Sequence, residues 1–435
     1  MDNQPNQAPT PAAKQPAAPR KFVTRRDILI ELEAYRPNLR YNLFTARREV
    51  YDESAGEWQP WTDVHEAALR EALEADAGIN SEKKVDDALA ILFGQQKMDP
   101  VRAMLEALPE WDGVERIKDF FPTAVNAPPL HIYAEYARML FAGALNRVFH
   151  PGCKFDELII LADGPRGHQG GGKSTLVKML NLEDVYYHTV DTIEGQPGME
   201  ALQMLWIGEL AELAGLKTVK GQEQAKNFLS RTHDHYREPY AKYAIDRPRR
   251  CIIIGTTNDS QFLTDRTGNR RYLPVECNLA EGEVERRRPE LETLIRQCWS
   301  EAVTRYHAGD ELFTSCRMRP EFYAQSAQLQ QAAMETDWRE GLIREYLVKK
   351  PLHTIVCVSE VYEHALHINL ADKPPDPKAS REIGQLIRNT PGWVVLPKVK
   401  RFQKYGVQKA FEKVADDAEA AQAPIMIAKA DDLPF

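Results

Sequence analysis

The sequence predicts an α/β fold: a parallel sheet around a phosphate-binding loop (a P-loop core), preceded by a mainly helical domain and followed by a winged-helix-like module. Three observations predict it. The apolar run Leu158-Ile159-Ile160-Leu161 leads into Gly167-His168-Gln169-Gly170-Gly171-Gly172-Lys173-Ser174 and then a helical segment. Two further apolar runs, Met204-Leu205-Trp206-Ile207 and Cys251-Ile252-Ile253-Ile254, stand apart from it and from each other by helical stretches, as buried parallel strands do. Past residue 341 the order changes to three helical segments and two short strands around a basic turn.

Taken in order, residues 1–21 hold Pro5, Pro9, Pro11, Pro16 and Pro19 among Ala, Gln and Asn, which predicts a disordered arm. Residues 22–130 read as a mixed, mainly helical domain. Asn42-Leu43-Phe44 and Glu49-Val50-Tyr51 flank a polar stretch and predict a hairpin. Thr62 caps a helix over 64–73, and Val85, Ala88, Leu89, Ile91 and Leu92 recur at helical spacing. The core domain, 131–340, opens on a long helix over 130–148 and closes on one marked by Leu291, Ile295, Cys298 and Ala302. The module at 341–413 has helices near 342–347, 359–368 and 380–388, then strands at 393–396 and 407–411. Residues 414–435 read as a flexible acidic tail.

Bulk properties exclude several classes. Of 435 residues, 43% are hydrophobic and 28% charged, and the net charge is −8, so any nucleic-acid site must be a local basic patch. The six cysteines form no CxxC pair, which argues against a zinc ribbon or a disulfide framework and fits a reducing cytosol. No apolar run approaches a membrane span or a secretory signal, so a cytoplasmic protein with no membrane partner is expected.

The loop fits GxxxxGK[ST] in the context that gives it meaning, strand before and helix after. Gly167, Gly170, Gly171 and Gly172 let backbone N–H groups face phosphate oxygens, and the helix N-terminus adds a favourable dipole. Lys173 is expected to reach the β- and γ-phosphates of ATP, Ser174 to ligate Mg²⁺, and Thr175 to follow in the same cradle. Hydrolysis needs acids near the metal and the attacking water. Glu209 sits just past the 204–207 strand for activating water or holding Mg²⁺, and Glu212 lies one helical turn on in support. The third strand ends in Gly255-Thr256-Thr257-Asn258, where Asn258 suits orienting water or touching the γ-phosphate. Arg270 or Arg271, on a short loop, suits an arginine finger completing a neighbour's site.

These blocks in series resemble the virulence-associated protein E family, helicase-like ATPases of prophages and mobile islands. The matching stretches are Pro151-Gly152-Cys153-Lys154-Phe155-Asp156, the loop ending Gly172-Lys173-Ser174-Thr175, Trp206-Ile207-Gly208-Glu209-Leu210-Ala211-Glu212-Leu213, Phe228-Leu229-Ser230-Arg231, Arg237-Glu238-Pro239-Tyr240, Gly255-Thr256-Thr257-Asn258 and Thr267-Gly268-Asn269-Arg270-Arg271-Tyr272. The resemblance covers about residues 85–310, with weaker similarity through Trp111-Asp112-Gly113. That family is similar to superfamily 3 helicases of the AAA+ class, which implies an AAA+-like core, a hexamer and a DNA substrate. Two departures stand out. The loop is richer in glycine than the usual form, and Gly208 stands where many relatives of the wider class have an acid, so the division of labour between Glu209 and Glu212 stays open. Residues 1–130 are too short for the primase-like domain many members carry.

Superfamily 3 helicases place a pore hairpin between the second and third strands. Here residues 231–250 interleave Arg231, Arg237, Lys242, Arg247, Arg249 and Arg250 with Tyr236, Tyr240 and Tyr243. Basic groups track phosphates and aromatics stack on bases, so Lys242, with Tyr240 or Tyr243 beside it, and Arg237 are candidate DNA contacts. His233-Asp234-His235 has no further ligands in range and reads as solvated. The second basic patch spans Lys378, Arg381, Arg388, Lys398, Lys400, Arg401, Lys404, Lys409 and Lys413, with Lys398, Lys400 and Arg401 as a wing. The expected function is an ATP-dependent DNA helicase or replication-initiation ATPase of a prophage or mobile element, ring-shaped on single-stranded or forked DNA. Two other classes fit: a non-unwinding ATP switch or loader, and an origin-binding protein whose ATPase drives assembly.

The chain ends Ala430-Asp431-Asp432-Leu433-Pro434-Phe435, which resembles the acidic tip of bacterial single-stranded-DNA-binding proteins. Asp431, Asp432, Leu433, Pro434 and Phe435 are therefore candidates for binding host replication proteins that dock on such tips. Deleting residues 433–435 is expected to abolish pull-down of those proteins while ATP hydrolysis is kept; undiminished pull-down would refute the assignment.

Overall fold

The computed structural model describes residues 23–213, 219–237, 244–264, 269–334 and 338–415. Tyr240, Lys242, Tyr243, the arm at 1–21 and the tip at 431–435 lie outside the described residues. The chain divides into two compact units, Met1–Met334 and Glu335–Phe435.

Local hydrogen bonding fixes the first elements. Thr24 and Asp27 exchange side-chain and backbone bonds in a capping box that starts helix α1 (Arg25–Leu32). Strands β1 (Leu39–Asn42), β2 (Arg47–Asp52) and β3 (Glu57–Pro60) form an antiparallel meander. The expected hairpin is present, but Leu43 and Phe44 turn instead of extending. The Asn42 side chain accepts from Phe44 N (2.9 Å) and Thr45 N (3.0 Å), a local bond that competes with the ladder. Helix α2 (Asp63–Ala77) starts at Thr62, as expected, and stops at Gly78 in a left-handed C-cap. Helix α3 (Glu82–Gln95) leads to β4 (Lys97–Met98), which pairs parallel to β1 and completes a sheet of order β3-β2-β1-β4. Helix residues outnumber strand residues here, and the sequence reading holds only the β1–β2 hairpin of this sheet, because β3 and β4 are short and part-polar.

Helices α4 (Pro100–Glu106), α5 (Phe120–Val125) and α6 (His131–Phe149) precede β5 (Leu158–Asp163) and α7 (Lys173–Leu180). Then come α8 (Gly195–Glu200), β6 (Ile207–Leu210), α9 (Val219–Leu229), the antiparallel pair β7 (His233–Tyr236) and β8 (Ile245–Pro248), β9 (Ile252–Thr257) and β10 (Tyr272–Cys277). Helices α10 (Glu283–Arg286), α11 (Arg288–His307), α12 (Glu311–Thr314) and α13 (Tyr323–Ala332) close the unit. The central sheet has order β10-β5-β9-β6 and is wholly parallel. Alternate side chains go to opposite faces. Ile159, Leu161, Ile254 and Val275 join a core with Leu140, Val177 and Trp299, while Leu158, Ile160 and Ile253 meet Ala225 and Phe228. Burial on both faces is why its strands read as unbroken apolar runs.

The parallel sheet differs from the sequence reading in one strand boundary and one further strand. The second strand begins at Ile207, where the apolar run was expected to end; Met204 turns with φ 65°. Trp206 instead anchors the lead-in, donating Nε1 to Ala144 O at 3.1 Å and packing on Trp299 at 4.6 Å. The fourth strand, β10, is hidden by Pro274, which an edge strand tolerates.

The second unit contains α14 (Trp338–Val348), β11 (Ile355–Cys357), α15 (Val358–Ala365), α16 (Pro377–Asn389), β12 (Trp393–Val395), the hairpin β13 (Lys400–Phe402) and β14 (Gly406–Gln408), and β15 (Ala410–Lys413). Its small sheet has order β11-β15-β12, all antiparallel. Ile343, Val361, Ile383, Ile387, Trp393 and Phe411 form its core. Among the described residues no helix is long and apolar enough to cross a membrane.

One buried ion cluster braces the first unit. Glu135 on α6 is fully buried and accepts from Arg138 (Nη2, 2.7 Å) and from Arg319 (N and Nε, both 2.9 Å). Arg138 also donates to the carbonyls of Leu312, Ser315 and Arg317, so the cluster ties α6 to the segment after α11. Burial pushes the Glu135 carboxyl up, but the two arginines outweigh it and hold it below its ordinary value. A carboxyl lowered on folding stabilises above its unfolded pKa and loses that contribution as pH falls through the folded value. Glu135→Gln is expected to cost about 3 kcal/mol at pH 7, because it strands the buried Arg138 guanidinium. In urea melts the gap from wild type should narrow as pH drops below about 4; a gap independent of pH would refute the ionic account.

Candidate functional site

The carboxyl ends of β5, β6 and β9 converge on the start of α7, the crevice where ligands of open α/β sheets bind. Between β5 and α7 the loop turns on Gly170 (φ 80°) and Gly172 (φ 107°), the latter capping α7. A Cβ on Gly171 would sit 2.6 Å from Leu279 Cβ, and one on Gly167 2.4 Å from Cys277 O. The loop therefore lies flat against the segment after β10, and Gly164 N and His168 N donate to the carbonyls of Cys277 and Leu279. Only glycine meets both the curvature and the close approach.

Lys173 and Ser174 open α7. Lys173 is 7% exposed, and its Nζ donates to Asp163 Oδ1 at 2.5 Å and Asn258 Oδ1 at 3.0 Å. Ser174 Oγ donates to Glu209 Oε1 at 2.6 Å; Thr175 follows, half-buried. Glu209 lies inside β6 instead of past its end, and is 1% exposed. Its Oε1 also accepts from Thr256 Oγ1 at 2.6 Å, and its Oε2 from the Tyr187 hydroxyl. Burial, then the adjacent Glu209 carboxylate, pushes the Tyr187 phenol up, so it remains a donor. Three hydroxyls thus replace the water a buried carboxylate would lose.

Glu212 is not one helical turn on. It sits in a 3-10 turn with φ 48°, beside Leu213 at φ 47°, and accepts from Asn258 Nδ2 at 3.0 Å. Asn258 bridges Lys173 and Glu212. Two successive left-handed non-glycine residues are strained, and such strain gathers at functional sites. Arg270 and Arg271 stand at the opposite end of the sheet: they precede β10, whose first residue pairs with Leu158 at the start of β5. Arg270 is exposed, and Arg271 pairs with Asp156 at 2.9 Å.

Sequence reasoning missed Asp163, Thr256 and Tyr187. Asp163 was visible as the last residue before the glycines, and Thr256 lies within a string already singled out for Asn258. Tyr187 had no signal, since the stretch before α8 has no periodicity.

The candidate nucleic-acid contacts are spread over two places. The strands β7 and β8 form a hairpin whose tip, 238–243, lies outside the described residues; Arg237 is exposed at the end of β7. His233 and His235 face solvent, as expected, while Asp234 is buried and pairs with Arg249 at 2.8 Å. No cluster of metal-ligating His, Cys, Asp and Glu occurs among the described residues. In the second unit Lys398, Lys400 and Arg401 are exposed, as are Val399 and Val407 beside them. Lys413, counted in that patch from sequence, is instead 3% exposed and donates to the carbonyls of Val348 (3.1 Å) and Lys350 (2.8 Å). Lys404 is tied to Glu363 at 2.7 Å.

Among solved structures, the apo structure of the NrS-1 C-terminal region (305–718) is similar: 12% identity, TM-score 0.50, covering 91% of this chain and 100% of that one. The A form apo structure of the same region gives 12% identity and TM-score 0.48 over 90% of this chain and 100% of that one. At this identity the first likeness is one of fold. No curated protein matches. The virulence-associated protein E-like domain matches residues 105–335. That stretch is more than half of the chain and holds the whole parallel sheet and every residue of the crevice, and so the chain belongs to the virulence-associated protein E-like family.

Proposed function

We propose that this protein is an ATP-dependent DNA helicase or replication-initiation ATPase of a prophage or mobile element, with an AAA+-like P-loop core that works as a homo-hexameric ring on single-stranded or forked DNA. The observation that carries the reading is the convergence of Lys173 and Ser174 with Asp163, Glu209 and Asn258 at the strand ends. ATP phosphates fit a glycine loop at a helix N-terminus beside a buried lysine. Ser174 Oγ and Glu209 Oε1 face each other at 2.6 Å, a pair of hard oxygen donors that suits Mg²⁺. Mg²⁺, when bound, neutralises charge developing on the phosphates. Lys173 would exchange Asp163 for a phosphate oxygen, and Glu209 would either hold Mg²⁺ with Ser174 or accept the proton of attacking water, with Glu212 in support. Asn258, released from Lys173, orients that water.

Arg270 and Arg271 lie a strand length, roughly 20 Å at ~3.3 Å per residue, from their own chain's crevice. That separation supports a role in trans, one of them entering the neighbouring subunit's site. The β7–β8 pair supports a pore contact through Arg237, with Tyr240 and Lys242 proposed from sequence within the stretch 238–243. The second unit supports a winged-helix-like reading, with two helices between β11 and β12 and a basic hairpin between β12 and β15. Its exposed Lys398, Lys400 and Arg401 favour a second reading, duplex or origin binding by this unit with ATP driving assembly. The tip residues Asp431–Phe435, numbered from sequence alone, would recruit host replication proteins.

Strand displacement on forked DNA with ATP and Mg²⁺ tests the first reading. Wild type is expected to unwind, Lys173→Ala to lose nucleotide binding, and Glu209→Gln to bind ATP while hydrolysis drops by about 10²–10⁴-fold. Hydrolysis without unwinding in wild type would replace the helicase with a non-unwinding switch or loader. For the second unit, Lys398→Ala/Lys400→Ala/Arg401→Ala is expected to weaken DNA binding and flatten its salt dependence by about one unit of slope per lost phosphate contact. An unchanged slope would remove the hairpin from the interface.

A further inference from the structure

Phe44 leaves its own domain. The buried apolar side chains around it in sequence, among them Ile28, Leu39, Val50, Leu89 and Phe93, close a separate core. Among the described residues before Val101, Phe44 alone joins the core of the parallel sheet. The turn after β1 delivers it there and is held on two sides. Asn42, buried, accepts from Phe44 N and donates its Nδ2 to Glu49 Oε1 at 2.7 Å, while Leu43 N donates to Met98 O at 2.8 Å.

Phe44 meets the ring of Tyr186 edge to face, with centroids 5.4 Å apart and planes at 74°. Tyr186 is buried at the end of a 3-10 turn (Asp184–Tyr186), and its carbonyl accepts from Trp206 N at 3.0 Å. The next residue, Tyr187, has extended backbone (φ −119°, ψ 136°), which sends neighbouring side chains to opposite sides. Tyr186 therefore faces the N-terminal sheet, and Tyr187 faces the crevice, where its hydroxyl donates to Glu209 Oε2. The stretch then runs along β6: Thr189 bridges to Glu209 in parallel, and Val190 N donates to Glu209 O at 2.7 Å.

Tyr187 settles how the carboxylate is turned. Glu209 Oε1 takes Ser174 and Thr256, both at 2.6 Å, and Oε2 takes Tyr187. The last side-chain torsion of a glutamate is soft, so without the phenol its plane is free to turn. The N-terminal sheet also holds the base of the β7–β8 hairpin. Asp99, next to β4, pairs with Arg250, and Phe44 lines a cavity of about 360 Å³ with Tyr236, Ile245 and Arg247. One turn thus touches the hairpin base and the ring beside Tyr187.

We propose that Phe44 and Tyr187 are positioning residues for ATP hydrolysis: through the Tyr186 ring, the N-terminal sheet fixes the phenol that aims Glu209. Docking of that sheet governs the hydrolytic step and leaves nucleotide binding alone. The inference rests on the ATPase activity proposed above.

The test is a double-mutant cycle on steady-state ATP hydrolysis by the full chain, with Phe44→Leu, Tyr187→Phe and the pair, each checked for folding by its thermal melt. Tyr187→Phe keeps the ring and removes the hydroxyl. It is expected to lower kcat about ten-fold or more, as loss of a hydrogen bond to a charged group does, with the KM for ATP kept within about two-fold. Phe44→Leu removes the aromatic edge and is expected to lower kcat about five-fold. In the Tyr187→Phe background that second loss should vanish, because no phenol is left to aim. A merely structural Phe44 would give the same fold-loss in both backgrounds, and that outcome overturns the proposal. So does an unchanged kcat in Tyr187→Phe, or a loss carried by KM. Should Phe44→Leu fail to fold, Phe44→Met completes the cycle. A wild type that hydrolyses no ATP overturns the ATPase reading and this inference together; a hydrolysing wild type with independent losses overturns this inference alone.

Discussion

A carboxylate buried inside a parallel strand constrains everything around it. Glu209 is 1% exposed in the middle of β6, and an unsatisfied charge there would cost more than most single interactions repay. Hydroxyls from three separate stretches satisfy it: Ser174 at the head of α7, Thr256 on β9, and Tyr187 ahead of α8. Each is useful only if its element arrives in the right register. β6 must pair with β9 so that Glu209 lies beside Ile254, and α7 must begin within one residue of the glycine loop. The polar centre and the apolar sheet therefore specify each other.

The same requirement sets what the sequence reveals. The glycine string, Lys173 and Ser174 are legible because their chemistry fixes residue types at fixed offsets. β5 and β9 are legible because burial on both faces makes them uniformly apolar. Glu209 was found, but its strand was placed one stretch too early. Leu205 and Trp206 are as apolar as any strand residue, and only the turn at Met204 and the seat of Trp206 against Trp299 show that they lead in. Composition does not encode that choice; the packing partner on α11 does. β10 fell below notice because a proline interrupts it, and its tolerance depends on its edge position, a property of sheet order alone. Lys413 reads as a surface cation until the carbonyls of Val348 and Lys350 close on it.

Asn258 links the two halves of the crevice. Its Oδ1 accepts from Lys173 and its Nδ2 donates to Glu212, so one amide joins the lysine side to the strained turn. Whatever draws Lys173 away also frees one end of that amide. Glu212 and Leu213 hold left-handed backbone at a cost of order 1–3 kcal/mol each. Loss of the Asn258 contact removes one of the bonds that keep them there. One amide thus links Lys173 to the turn without any direct contact between the two.

The sheet also separates two groups that a single chain cannot bring together. Lys173 leaves from the carboxyl end of β5, while Arg270 and Arg271 enter β10 at the other end. Parallel pairing of β10 with β5 makes that separation unavoidable, since strands running side by side keep their starts together and their ends together. Arg271 is meanwhile held by Asp156, at the close of the loop that covers Arg147. An arginine fixed on the outer end of the sheet serves a phosphate only if a second chain presents its crevice to that end. Under the proposed trans reading, a neighbouring subunit would therefore approach from the end of the sheet where β10 begins.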